Sequence, residues 1–141
     1  GTDLRHEITH GYIHASVDEI PLWLDEGIAE YFEVASGFGG INRMHIDLLM
    51  ARMKNGTWQP DLRRLESVVD PARMTQLDYA EAWLWTHFLL NDNPETRAIV
   101  QRRIDELEQG LPMTPVSSEI QRILPDSESG IQRYLDSLNS R

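Results

Sequence analysis

The chain has 141 residues, enough for one domain with its own core but not comfortably two, and 40% are hydrophobic, a globular rather than a disordered composition. Its 23 acidic residues against 13 basic give a net charge of −10, which argues against nucleic acid or an anionic membrane as the main partner. There is no cysteine, so thiolate metal sites, catalytic thiols and disulfides are excluded, while the compartment stays open.

Almost every segment reads as helix. Thr2 or Asp3 can cap a first helix running to about Ala15, and residues 16–20 form a short connection. Pro21 suits the first turn of a second helix that continues to about Val34 and stops in Ser36-Gly37-Phe38-Gly39-Gly40. A third helix spans Ile41 to Lys54, with Asn55-Gly56 as its stop. A short helix follows over Asp61 to Val68, then an aromatic helix over Gln76 to Asn91, halted by Asn91-Asp92-Asn93-Pro94.

The next helix, Glu95 to Gln109, is charged and amphipathic. Arg97, Arg102, Arg103, Asp105, Glu106 and Glu108 read as its solvated face, and Ile99, Val100, Ile104 and Leu107 as its core stripe. Helices over Ser117 to Ile123 and Ser127 to Leu138 close the chain. Nothing alternates with the period of a strand, no repeat is present, and no linker divides the chain, so a single all-α unit is expected over residues 1–141. No stretch is apolar and long enough to span a bilayer, and no basic-then-apolar leader precedes the first helix. That helix must begin almost at residue 2, which reads as a piece of a longer protein, in which any targeting signal would lie upstream.

The chemistry concentrates near the start. His6-Glu7-Ile8-Thr9-His10 has the form H-E-x-x-H: two imidazoles spaced i, i+4 share one helix face and can meet one metal ion. Glu7, between them, can reach a water beside the metal without being a ligand. A catalytic zinc takes three protein ligands and keeps a position open, so a further carboxylate is needed. Glu26 follows His10 after fifteen residues and Glu30 after nineteen; both lie on one face of the second helix, one turn apart, and spacing does not choose between them.

The segment Trp23-Leu24-Asp25-Glu26-Gly27-Ile28-Ala29-Glu30-Tyr31 resembles the third-ligand signature of the gluzincins, the zinc metallopeptidase clan of thermolysin and the aminopeptidase N group. In a Trp-Leu-x-Glu-Gly motif the ligand is the glutamate, which maps onto Glu26. Four positions further on, thermolysin-like enzymes carry an acid that hydrogen-bonds a ligand histidine, and Glu30 stands there. The gap of fifteen residues is shorter than in those two groups, so the connection must be tighter. The pattern is most similar to a bacterial branch of the clan with Pro-x-Trp-Leu-x-Glu-Gly-x-Ala-Glu-Tyr on one helix and Tyr-Ala opening a later one. Pro21-Leu22-Trp23-Leu24 and Tyr79-Ala80 match it, so the resemblance covers about residues 4–90.

The resemblance implies a zincin-like, mainly α metallopeptidase domain binding Zn2+ through His6, His10 and Glu26, with Glu7 as general base and Glu30 orienting a ligand imidazole. The clan's small β-sheet usually lies upstream of the histidine helix. Without that edge strand, residues 1–141 alone are expected to bind zinc and to cleave peptides poorly. The oxyanion formed on attack needs a further donor, which the clan takes from a downstream tyrosine or histidine. Tyr79 and His87, eight residues apart on the aromatic helix, are the candidates. Tyr79 is preferred because it holds the Tyr-Ala position and a phenol stays a donor at neutral pH, whereas His87 reads as a packed histidine.

Other residues have plainer readings. His14, one turn after His10, would close the site to water as a further ligand and reads as rim. His45 beside Arg43 reads as surface or as a substrate contact. Trp23, Trp83 and Trp85 read as core. The alternative to a peptidase acting on peptide or protein substrates is a non-catalytic binding or scaffold domain that keeps the fold, and the presence of a general base at Glu7 argues against it. The same site can also support hydrolysis of other amides or of epoxides.

Overall fold

In the computed structural model, which describes residues 21–38, 41–109 and 115–140, Pro21 stands immediately before helix α1 (Leu22–Phe38). Proline has no N–H to place inside a helix, but its carbonyl accepts from the amides of Leu24 and Asp25 and so starts the helix from outside. The expected first helix, with His6, Glu7, His10 and His14, lies outside the described residues. Helix numbering therefore begins at Leu22.

α1 runs four residues past the expected stop near Val34, carrying Ser36 and Gly37 inside it. One glycine costs a helix interior only about 1 kcal/mol against alanine, too little to end it alone. α2 (Arg43–Lys54) opens where the Asn42 side chain accepts from the His45 amide at 3.1 Å, two residues later than expected. It ends at Asn55, and Gly56 follows with φ +76°, the left-handed turn anticipated at this pair. α3 (Leu62–Glu66) is capped by Asp61 and is shorter than the expected helix. A 3-10 turn at Pro71–Arg73, capped by Asp70, was not anticipated.

α4 (Gln76–Asn91) has the expected bounds, and Thr75 and Asp78 cap each other's backbone amides at its start. α5 (Pro94–Glu108), α6 (Val116–Ile123) and α7 (Ser127–Asn139) each lie within a residue of expectation. No strand occurs among the described residues, and the chain is mainly helical. No described helix is long and apolar enough to cross a membrane.

α4 is the centre. Every residue from Ala80 to Leu90 is buried, and α1, α2, α3, α5 and α7 all pack on it. A helix apolar on all sides has no solvent face and must be surrounded. Trp23, Trp83 and Trp85 are core residues, as expected. The one acid in this run, Glu81, is fully buried and fully bonded. Its Oε1 accepts from Trp58 Nε1 and Arg64 Nη2, both at 2.9 Å, and its Oε2 from the Asp61 amide at 2.8 Å and Trp85 Nε1 at 3.1 Å. Burial opposes the Arg64 charge, but the bonds and charges of Glu81 and Asp78 outweigh it and hold its pKa above the ordinary value.

One expectation on α5 is corrected. Arg103, assigned to the solvated face, is only 2% exposed, with Nη2 at 3.3 Å from Glu119 of α6. Glu119 also takes Arg102 Nη1 at 2.7 Å, so a carboxylate from the next helix draws the Arg103 guanidinium inward. Ile99 and Val100 are core, as the stripe implied; the side chains of Ile104 and Leu107 lie outside the described set.

Candidate functional site

Gly27 sets the position of the acidic residues around it. α1 meets α4 so closely there that a Cβ on Gly27 would stand 2.2 Å from Thr86 Oγ1. One turn on, the rings of Tyr31 and His87 are 5.5 Å apart, and Asn91 Nδ2 donates to the Tyr31 hydroxyl at 3.2 Å. Gly27 meets Ala82 and Thr86, and Tyr31 meets His87 and Asn91, so the two helices run side by side in the same direction. That course sets Glu26 and Glu30 along the flank of α4.

Glu26 and Glu30 are both partly buried, one turn apart on α1, as the spacing implied. Burial raises the Glu26 pKa above the ordinary carboxylate value, and the charges of Asp25 and Glu30 raise it further. Asp25 is raised by its own burial. Three carboxyl groups therefore share one short stretch of helix, and the ionised form of two of them is disfavoured.

Glu30 has a partner that sequence reasoning missed. Its Oε1 lies 2.9 Å from His45 Nε2 on α2, and the His45 ring packs against Trp83 with centroids 5.9 Å apart. The other oxygen, Oε2, is buried and has no hydrogen-bond partner among the described residues. A signal for His45 was present: Leu49, four residues later on the same helix face, is fully buried, which turns His45 toward the interior. The surface reading of His45 is thereby corrected.

Of the two oxyanion candidates, His87 is packed, as expected. It is 4% exposed, its Nδ1 lies 2.6 Å from the Tyr134 hydroxyl of α7, and Trp83 and Tyr31 flank its ring. Tyr79 is partly buried near the start of α4, one turn before Ala82 and hence on the side that meets α1. Its backbone amide bonds Thr75, and its hydroxyl has no side-chain partner among the described residues.

Among the described residues, no group of three His, Asp or Glu side chains converges as a metal site. Of the three ligands expected from the sequence, only Glu26 falls within the described set; His6, His10 and the base Glu7 lie outside it.

Comparison with curated proteins and with solved structures returns no match. Residues 3–109 match a protein family described as a protein of unknown function (DUF1570), a span that takes in the H-E-x-x-H segment, α1 to α4 and the whole of α5. The match covers well over half of the chain, which therefore belongs to that family.

Proposed function

We propose that the chain is a mainly helical, zinc-dependent peptidase of gluzincin type that hydrolyses peptide bonds. The observation that carries this reading is the pattern His6-Glu7-Ile8-Thr9-His10 followed after fifteen residues by Glu26, which stands partly buried on α1; its burial and the charges of Asp25 and Glu30 all oppose its ionised form. A cation held beside it relieves all three effects at once. His6, His10 and Glu26 would hold that cation, and two imidazoles with one carboxylate are a donor set suited to zinc. The buried Oε2 of Glu30, without a partner among the described residues, also fits, because it can accept from the free N–H of a ligand imidazole.

Zinc, when bound, makes a water nucleophilic at neutral pH and polarises the scissile carbonyl. The remaining work falls to side chains. Glu7 takes the proton from the attacking water and hands it to the departing amine, so the same carboxylate serves as base and then as acid. Tyr79 donates its phenolic O–H to the developing oxyanion. The hydroxyl is not committed to another side chain among the described residues, whereas His87 has its Nδ1 engaged by Tyr134.

Elemental analysis of the purified chain beside His6→Ala tests the proposal. The expected result is near-stoichiometric zinc that disappears in the variant, with Glu7→Gln keeping the metal and losing turnover of a peptide library. An unaltered chain that takes up no zinc, even after addition, overturns it. Zinc bound by the unaltered chain and by Glu7→Gln alike, with no turnover in either, supports a scaffold that keeps the fold without the chemistry.

A further inference from the structure

We propose that His45 is a positioning residue for the metal site, acting through Glu30; this rests on the zinc reading above. Glu30 reaches from α1 to a side chain of α2, and a glutamate side chain turning freely about its torsions presents neither oxygen in a fixed direction. Here one oxygen is pinned: Oε1 takes the His45 Nε2 hydrogen bond at 2.9 Å. His45 is itself held at three points. Its backbone amide is capped by Asn42, its ring rests on buried Trp83, and Leu49 anchors the same helix face in the core.

With Oε1 fixed, Oε2 has one direction left. It is buried and has no hydrogen-bond partner among the described residues, although an ionised carboxylate oxygen out of water is costly without a donor. An acceptor fixed in place and lacking its donor marks where an N–H belongs. The imidazole of His6 or His10 supplies a donor of the right kind, since a histidine that binds metal through one nitrogen carries a proton on the other. With that donor in place, His45, Glu30 and a ligand histidine would make a chain of three, in which the outermost member sets the rotamer of the middle one. The bond from His45 to Glu30 makes Nε2 the donor, so a neutral His45 carries its proton there.

The test is zinc affinity, read by competition with a chromogenic chelator, alongside circular dichroism and the melting temperature of the metal-free protein. His45→Ala should weaken zinc binding about 10–100-fold, the usual cost of losing a partner behind a metal ligand. His45→Gln keeps an N–H donor near the Nε2 position and should bind within a few-fold of the unaltered chain. Glu30→Ala should weaken binding as much as His45→Ala, and the double variant should be no worse than Glu30→Ala alone.

A merely structural role for His45 would lower the melting temperature without this pattern of rescue and non-additivity. His45→Ala binding zinc as tightly as the unaltered chain overturns the positioning role and leaves the zinc reading intact. Equal losses in His45→Gln and His45→Ala, or losses that add to that of Glu30→Ala, also overturn it. An unaltered chain that binds no zinc overturns both readings together.

Discussion

Gly27 of α1 lies so close to Ala82 of α4 that a Cβ on the glycine would stand 2.5 Å from the alanine carbonyl oxygen. At an open helix position, changing glycine to alanine stabilises by about 1 kcal/mol. Here the added methyl must push two helices apart at the point where they cross, and overpacking of that kind costs about 1–3 kcal/mol. Gly27→Ala should therefore lower stability in urea denaturation. Because Glu26 is its neighbour, zinc affinity should fall as well. A variant more stable than the parent would show that the two helices are not in this contact.

Glu81→Ala should destabilise by about 2–5 kcal/mol, because the indole N–H groups of Trp58 and Trp85 lose their acceptor inside the protein, at about 1–3 kcal/mol for each buried group left unsatisfied, while Arg64, partly exposed, keeps Asp78. Trp58→Phe removes one of those bonds and keeps most of the ring, so about 1 kcal/mol is expected for the bond itself. Chemical denaturation of both variants checks the ordering. Equal effects would mean that the carboxylate is not the hub of the cluster.

The metal-free protein should become less stable as pH rises from the ordinary carboxylate range. Asp25 and Glu26 have raised pKa values in the fold, so between the unfolded and folded values the native state holds more protons than the unfolded chain. Stability then falls as pH increases through that window. Adding zinc should lessen the fall. Glu26→Gln, which removes one of the opposed charges, should flatten the metal-free profile while weakening zinc binding. Thermal melts from pH 4 to 8, with and without zinc, measure both; a metal-free profile that rises across the window contradicts the assignment.

Tyr79→Phe should lower kcat about 10²–10³-fold, the usual loss for one oxyanion donor, with zinc content unchanged. His87→Gln should act chiefly on stability, since its ring is enclosed by Tyr31, Trp83 and Tyr134. Steady-state kinetics beside melting temperatures separates the two roles. The assignment fails if the larger kinetic loss belongs to His87→Gln.

What could be read from the sequence divides along the reach of the interactions. α4 was legible end to end, because an apolar run closes at Asn91-Asp92-Asn93-Pro94 and both signals are local. The shared face of Glu26 and Glu30 was legible for the same reason, as a four-residue spacing. The overrun of α1 past Val34 was not, since a single Gly37 weakens a helix without stopping it. Nor was the turn at Pro71–Arg73, which is too short to show any period. His45 and Arg103 were misplaced because each turns inward to an acid on another helix, the partly buried His45 to Glu30 and the buried Arg103 to Glu119. Those pairings exist only once the helices have come together.

The family match stops at residue 109, yet α7 begins at Ser127 and packs on both α2 and α4. Its Tyr134 hydroxyl closes over His87, and Asn139 accepts hydrogen bonds from Arg43 through both its backbone and its side chain. Cutting the chain where the resemblance ends would uncover Phe88 and His87 and leave a sticky apolar window on the side of the central helix. Any excised version meant for expression has to be trimmed by what touches α4, not by where the shared pattern runs out.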